Sequence, residues 1–268
     1  MQLEENLGSV TARSLGLPQL HRSEELQAIQ YARIASEYDA HYSDPWSTEY
    51  RRRFIYSSMF EGVELSGSKV LDAMCGTGQT TAYLSSSKAK ITGLDLSGVE
   101  IEKFRSSWPN ATAVCRSVLD SGLQDESFDC VAIVGGLHHV QPHVSEAVRE
   151  VHRVLKSGGV FCFMEPHRGS LPDLIRRVWY QHDHYFSDNE ESIDLKLLEE
   201  EFAGQFRIRK VEFKGNLAFL LVLNSLIFRI PVRFKRFYSS ILLSLEASIN
   251  KLQGKRTSCF VVAQWEKI

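Results

Sequence analysis

Several things are scarce in this chain of 268 residues, and each scarcity closes off a class of protein. The five cysteines (Cys75, Cys115, Cys130, Cys162, Cys259) include no C-x-x-C pair, and four lie in apolar runs that read as strands. Reduced core thiols of a cytoplasmic protein are expected, and a disulfide scaffold is not. The most apolar stretch, Leu217 to Ile230, has 14 residues and contains Asn224, short of the roughly 20 that cross a bilayer. The first residues, MQLEENLGSVTARSLGLPQL, lack the basic patch and apolar run of about 7 to 15 residues that a signal peptide needs, so secretion is not expected. A formal net charge of -2 gives no overall grip on nucleic acid, and no Asn/Asp-Pro-Pro-Tyr/Phe motif is present to hold a flipped base. Nucleic acid is therefore not expected as a partner. There is no internal repeat or low-complexity tract.

What remains is enough for a globule: 43% hydrophobic and 24% charged residues. Short β-like runs alternate with helical patterns through the middle: Lys69 to Ala73, Lys90 to Asp95, Ala111 to Arg116, Phe128 to Val134 and Val160 to Glu165 as strands. Thr80 to Ser86, Val99 to Ser107 and Ser145 to Leu155 lie between them as helices. Such alternation makes βαβ units with right-handed crossovers. Cys130-Val131-Ala132-Ile133-Val134 is apolar without alternation, as befits a strand covered on both faces. Two more strands, Arg207 to Phe213 and Ser258 to Trp265, bring the expected sheet to seven. The fold class is thus α/β, a doubly wound, seven-stranded, mostly parallel, Rossmann-like sheet. A helical N-terminal arm, with a helix from Ser23 to Tyr42, occupies 1–60. The core occupies 61–168, and a helical cap with the last two strands occupies 169–268.

Charge is uneven along the chain. From Asp183 to Glu201 there are eight acids and one lysine, while Arg207 to Arg256 holds eleven Lys or Arg against Glu212 and Glu246. Gly215 to Arg236 reads GNLAFLLVLNSLIFRIPVRFKR, with Pro231 expected to end one helix and a second apolar helix expected over Tyr238 to Leu252. These helices are expected to roof the site. An apolar face beside Lys and Arg is also what interfacial helices show, so peripheral membrane contact through 215–252 is carried as an expectation.

Chemistry is expected at the carboxyl ends of the strands, where ligands bind in an open parallel sheet. Gly76-x-Gly78 sits at such an end, and Asp95 closes the next strand, placed to accept two ribose hydroxyls. A dinucleotide or a nucleoside fits so far. Two details separate them. The dinucleotide fingerprint wants a third glycine where Thr81 stands. In addition, Asp72 at the end of the first strand puts negative charge near the loop, which repels a pyrophosphate and suits a cationic ligand. Cys75 has no base close in sequence and reads as a small filler.

The run Leu71-Asp72-Ala73-Met74-Cys75-Gly76-Thr77-Gly78 resembles motif I of class I SAM-dependent methyltransferases, of the type 11/25-like small-molecule kind. Gly93-Leu94-Asp95-Leu96-Ser97 resembles their acidic-loop motif. Ser127-Phe128-Asp129-Cys130-Val131 with Gly135-Gly136-Leu137-His138-His139-Val140 is similar to their fourth-strand motif, and Leu155-Lys156-Ser157-Gly158-Gly159-Val160 to the turn into strand five. The resemblance implies S-adenosyl-L-methionine (SAM) as cofactor. By it Asp72, Gly76 and Gly78 face the methionine portion, Asp95 the ribose and Leu96 one adenine face. Ser117 and Val118 fall at the adenine edge, with serine where the family usually carries an acid. Gly135 and Leu137 run beneath the ligand, and Tyr38 resembles the family's N-terminal tyrosine that closes over it.

Methyl transfer from a sulfonium is an in-line displacement, in which a base is needed only when the acceptor's proton must leave. His139, by resemblance, and His167, after Glu165-Pro166, are the candidate bases; the His138-His139 pair serves equally well as pocket lining. His182-Asp183-His184 reads as a solvated loop, and no metal is expected. Tyr42 and Trp46 read as a lid or as core aromatics. The expected function is methyl transfer to a small-molecule acceptor, apolar or anionic, of natural-product, lipid or glycan type, at oxygen. Rival readings are a nicotinamide-dependent oxidoreductase and a non-catalytic SAM-fold partner subunit.

Overall fold

The structure, a computed structural model, describes residues 41–180 and 191–268, with side chains 177–180 set aside. Most of the expected helix Ser23 to Tyr42, Tyr38 itself and the run His182-Asp183-His184 lie outside the described residues.

Seven strands form one sheet: β1 (Lys69–Ala73), β2 (Lys90–Asp95), β3 (Thr112–Cys115), β4 (Phe128–Val134), β5 (Leu155–Pro166), β6 (Phe206–Lys214) and β7 (Phe260–Lys267). Their order is β3-β2-β1-β4-β5-β7-β6, and β7 alone runs against the rest. The order reverses between β1 and β4, so a crevice opens at their carboxyl ends.

Side chains alternate across each strand, and both faces are covered. On one face Leu71, Val131, Ile133, Phe161 and Phe163 pack against α4 (Val144–Val154) and α6 (Leu195–Glu201). On the other, Val70, Cys130, Ala132 and Cys162 pack against a helical stretch that begins as α1 (Pro45–Tyr50) and widens over Arg51–Tyr56. α2 (Gln79–Ser86) and α7 (Val232–Ile249) share that side, while α3 (Gly98–Ser107) covers β2 and β3 at the edge. α5 (Leu171–Tyr180) follows β5.

Pro231 begins a helix rather than ending one. α7 starts at Val232, not Tyr238, with Pro231 extended at the N-cap (φ −58°, ψ 136°), a position outside the helix where its missing N–H costs no helical hydrogen bond. The apolar stretch before it forms only a wide turn, Phe219–Leu223.

α7 is tied to α1 through its inner face. The Lys235 ammonium, fully buried, donates to the His41 carbonyl (2.7 Å), the Asp44 carboxylate (2.5 Å) and the Ser47 hydroxyl (2.8 Å), which uses all three of its protons. Glu246, equally buried, accepts from the Tyr50 hydroxyl (2.7 Å) and from the N–H groups of Asn216 (2.9 Å) and Ala218 (2.8 Å). Tyr42 is buried and donates to Asn224 (2.8 Å), so it is a core aromatic of this roof, and Trp46 packs half-buried on the same cluster.

Candidate active site

The loop after β1 is held by its neighbour strand. Cys75 N–H donates to the Leu94 carbonyl (3.0 Å), and Gly76 N–H donates to Asp95 Oδ2 (2.8 Å). The other carboxylate oxygen of Asp95 accepts from Ser97 N–H (2.9 Å), so the side chain is fixed from both sides while remaining half-buried. The two glycines of this loop do different work. At Gly76 (φ +51°) the nearest atom to an added Cβ is 3.8 Å away, which leaves the backbone bare toward the crevice. At Gly78 (φ +98°) a Cβ would lie 2.2 Å from the indole nitrogen of Trp108, which donates to the Thr77 carbonyl (3.1 Å). Gly78 therefore makes room for a tryptophan from the end of α3.

Asp72 does not present an open charge either. It is 2% exposed and accepts from the Thr81 hydroxyl (2.6 Å), so the residue standing at the third-glycine position solvates it. Burial pushes its carboxyl up to about 7, with the Thr81 hydrogen bond working the other way. The negative charge expected at the loop mouth thus belongs to a buried carboxyl that already has a hydrogen-bond partner in Thr81.

Across the crevice, the loop after β4 turns on Gly135 (φ +64°), whose N–H donates to the Met164 carbonyl (2.7 Å). The two loops touch: an added Cβ on Gly136 would meet Met74 Sδ at 2.7 Å. A 3₁₀ turn over Leu137–Val140 then carries the histidines. Its N-terminus rests on Glu165 at the end of β5, a residue to which the sequence assigned no part in holding this turn. Fully buried, Glu165 accepts from the N–H groups of Gly136 (2.7 Å), Leu137 (2.7 Å) and His138 (3.3 Å), and pairs with His138 Nδ1 at 2.7 Å. An acid closing an otherwise apolar strand, Val160 to Glu165, was the signal available. Burial pushes the Glu165 carboxyl up to about 7 and the His138 imidazole down to about 3, so burial disfavours the charged form of each. His139 stacks on His138 with ring centroids 3.9 Å apart; burial first, then the neighbouring His138 and Arg176, keep its imidazole neutral.

The remaining expected residues divide. Leu96 lies half-buried one residue past Asp95. Ser117 is buried with its hydroxyl accepting from Leu119 N–H (3.0 Å), and Val118 belongs to the apolar core. Leu137 is also wholly in the core, so it supports the loop from below and presents only backbone. His167 is corrected: its Nε2 is bonded to the Ser258 hydroxyl (2.7 Å), its Nδ1 faces the Arg168 carbonyl (3.4 Å), and its ring packs edge-on against Phe213. It is 1% exposed and locks β5 to the start of β7, leaving neither nitrogen for an acceptor's proton. Cys75 is buried, and burial together with Asp72 and Asp95 raises its thiol well above the ordinary range, which removes it as a nucleophile.

A bare backbone at Gly76 beside a doubly anchored carboxylate suits a ribose-bearing ligand that must come close to the chain, and SAM fits these residues. Comparison with known proteins agrees. Residues 71–163 match the family described as Methyltransferase domain. An uncharacterized methyltransferase of Synechocystis is 39% identical over 105 residues, covering 39% of this chain and 50% of that protein. The demethylmenaquinone methyltransferase of Staphylococcus epidermidis is 40% identical over 119 residues, covering 42% of this chain and 48% of that protein. The chain thus spans about half the length of the curated relatives it matches. A SAM-dependent methyltransferase from Archaeoglobus fulgidus has the same fold, with a TM-score of 0.57, 18% identity and coverage of 87% of this chain and 99% of that one.

Proposed function

We propose, from the premise that residues 71–163 are a class I SAM-dependent methyltransferase domain, that this chain transfers a methyl group from SAM to an oxygen of an apolar small molecule. The observation that carries the reading is Asp95. It stands at the end of β2 with one oxygen on Gly76 N–H and the other on Ser97 N–H, so the carboxylate that would take the ribose hydroxyls also positions the bare backbone beside them. SAM, when bound, supplies an activated methyl group on sulfur. The chain's own part is to hold Gly76 and Asp95 in register, to exclude water with the roof of α1 and α7, and to receive the acceptor's proton.

His139 is the group best placed for that last step. It follows β4 at the carboxyl end of the sheet, on a turn fixed by Glu165, where a neutral imidazole can accept a hydrogen bond from an acceptor hydroxyl. Burial, then the neighbouring His138 and Arg176, disfavour the imidazolium, so the proton that His139 takes from the acceptor hydroxyl as the methyl arrives passes on to water and the imidazole returns to its neutral form. The acceptor class rests on the apolar cluster beside the crevice, to which Tyr42, Tyr50, Phe54, Val222 and Leu223 contribute, and on the demethylmenaquinone acceptor named for the Staphylococcus relative. Natural-product, lipid and glycan-type acceptors are the ones to screen, lipids first.

Calorimetric titration with SAM and with NAD tests the cofactor. SAM is expected to bind and NAD not, and Asp95→Ala is expected to weaken SAM by about 2 kcal/mol, the loss of charge-assisted hydrogen bonds. Unchanged affinity in that variant, or a preference for NAD, overturns the reading.

A further inference from the structure

The long helix α7 is amphipathic the wrong way round. Its residues turned into the protein are Lys235, Ser239, Leu243 and Glu246, three of them polar. Phe234, Phe237, Ile241 and Leu245 are turned outward and are 43, 65, 66 and 45% exposed. With about 100° between successive residues, these four fall within an arc of about 80°. Leu252, 90% exposed, follows just past the helix end. The inward charges are accounted for, Lys235 by His41, Asp44 and Ser47, and Glu246 by Tyr50, Asn216 and Ala218. The helix is therefore locked in this orientation, and the apolar stripe is held outward by the same bonds. A contiguous apolar stripe at the surface marks a place that meets something.

The charges beside the stripe select what it meets. Arg233 and Arg236 lie exposed along one flank, their guanidinium carbons 5.1 and 4.6 Å from the ring centroids of Phe234 and Phe237. Exposed Lys251, Lys255 and Arg256 continue the positive field beyond the helix. Between residues 213 and 256 the sole acid is Glu246, and it faces inward. A second copy of the chain would bring the same cations to this face with no carboxylates to meet them. An anionic bilayer complements all of it, with acyl chains for the stripe and phosphates for the flanking arginines. No helix among the described residues is long and apolar enough to cross a membrane, so contact in the plane of the interface is the geometry available.

We propose that α7 docks this protein on anionic membrane surfaces, with Phe234, Phe237, Ile241 and Leu245 entering the interface and Arg233 and Arg236 engaging lipid phosphates. This narrows the broader 215–252 expectation to one face of one helix, since the wide turn before it is folded into the core through Val222 and Leu223. Docking does not depend on the methyl-transfer reading, but it places the roof of the proposed site at the membrane, where an apolar acceptor would arrive.

The test uses the full chain with vesicles of phosphatidylcholine alone and of phosphatidylcholine with phosphatidylglycerol. Co-sedimentation is expected with the anionic vesicles and is lost in Phe237→Glu/Ile241→Glu, whose positions are exposed and whose melting temperature and SAM affinity are expected to stay unchanged. Arg233→Ser and Arg236→Ser are each expected to weaken anionic binding about fivefold. Absence of sedimentation with anionic vesicles at low salt overturns the proposal, as does a glutamate variant that still sediments. Analytical ultracentrifugation adds the remaining outcome: a dimer that Phe237→Glu/Ile241→Glu dissociates, without vesicle binding, assigns the stripe to a second copy and also overturns it. Vesicle binding without any methyl transfer leaves docking standing and removes the function proposed above.

Discussion

The loops of the crevice and the helical roof of α1 and α7 are both held by carboxylates, yet they are held in opposite ways. On the cofactor side, Asp95 reaches Gly76 across 19 positions and Asp72 reaches Thr81 across 9, so a few turns of chain contain the whole device. In the roof, Asp44 reaches Lys235 across 191 positions and Tyr50 reaches Glu246 across 196. Locally closed loops survive the loss of one bond because the strands beside them keep their place. A roof stitched between distant segments has no such backing, and its charges are stranded when a partner goes.

The sharpest way to break this comparison is therefore in the roof. Asp44→Ala leaves the Lys235 ammonium buried with two neutral acceptors and strips the N-cap from α1, and is expected to destabilise the chain by about 3–5 kcal/mol in urea unfolding. Asp44→Asn with Lys235→Met removes both charges and keeps a cap, and is expected to be the milder change. A double variant as unstable as the single one would mean that packing, not an orphaned charge, holds the roof.

The next effect separates the two glycines. Gly78→Ala places a methyl into the Trp108 indole at a positive φ and is expected to lower stability by about 3 kcal/mol. Gly76→Ala meets no neighbour closer than 3.8 Å, so it is expected to cost about 1 kcal/mol in stability and to weaken SAM about tenfold by standing on the ligand's side. Thermal melting paired with calorimetry reads both, and equal stability losses would dissolve the distinction between them.

These contrasts also explain how far the sequence could be read. β1, β2 and β4 have the expected bounds, and the seven-stranded, mostly parallel sheet is as expected, because short β-like runs alternate with helical patterns and β4 carries the unbroken apolar run of a strand covered on both faces. Asp95 and Gly76 were legible because the contact between them closes within one βαβ unit. Glu165 was missed as the support of the histidine turn, since the groups it holds lie 27 to 29 positions away, in another loop. His167 misled for the same reason: its partner, Ser258, is 91 positions off. The outward stripe of α7 was hidden too, because periodicity tells that a helix has an apolar face and not which way that face turns.

A smaller effect concerns pH. Burial raises Asp72 from 3.8 to about 7 in the folded chain, so between those values the fold binds a proton that the unfolded chain has lost. The stability this contributes is complete below about pH 4 and is lost as pH rises through about 7. Asp72→Asn is expected to remove that part of the slope in denaturation curves taken across the window. SAM affinity is expected to move the other way, rising toward pH 7 as the carboxylate forms to meet the ligand's ammonium group. A flat SAM affinity across the window in the parent chain would show that Asp72 serves Thr81 alone.

The smallest effect is expected at Cys75, the residue with the most reactive side chain in the loop. Its Sγ lies against the Gly76 carbonyl at 3.5 Å, shut away from solvent, and burial first, then the neighbouring Asp72 and Asp95, oppose its ionisation. Neither exposure nor field favours a thiolate, so iodoacetamide is expected to leave Cys75 unlabelled in the folded chain. Cys75→Ala should keep methyl transfer within about twofold and lower stability by about 1 kcal/mol, the ordinary loss for one buried atom. A large loss of turnover with SAM binding intact would return the sulfur to the chemistry and undo the argument that this loop acts through its backbone.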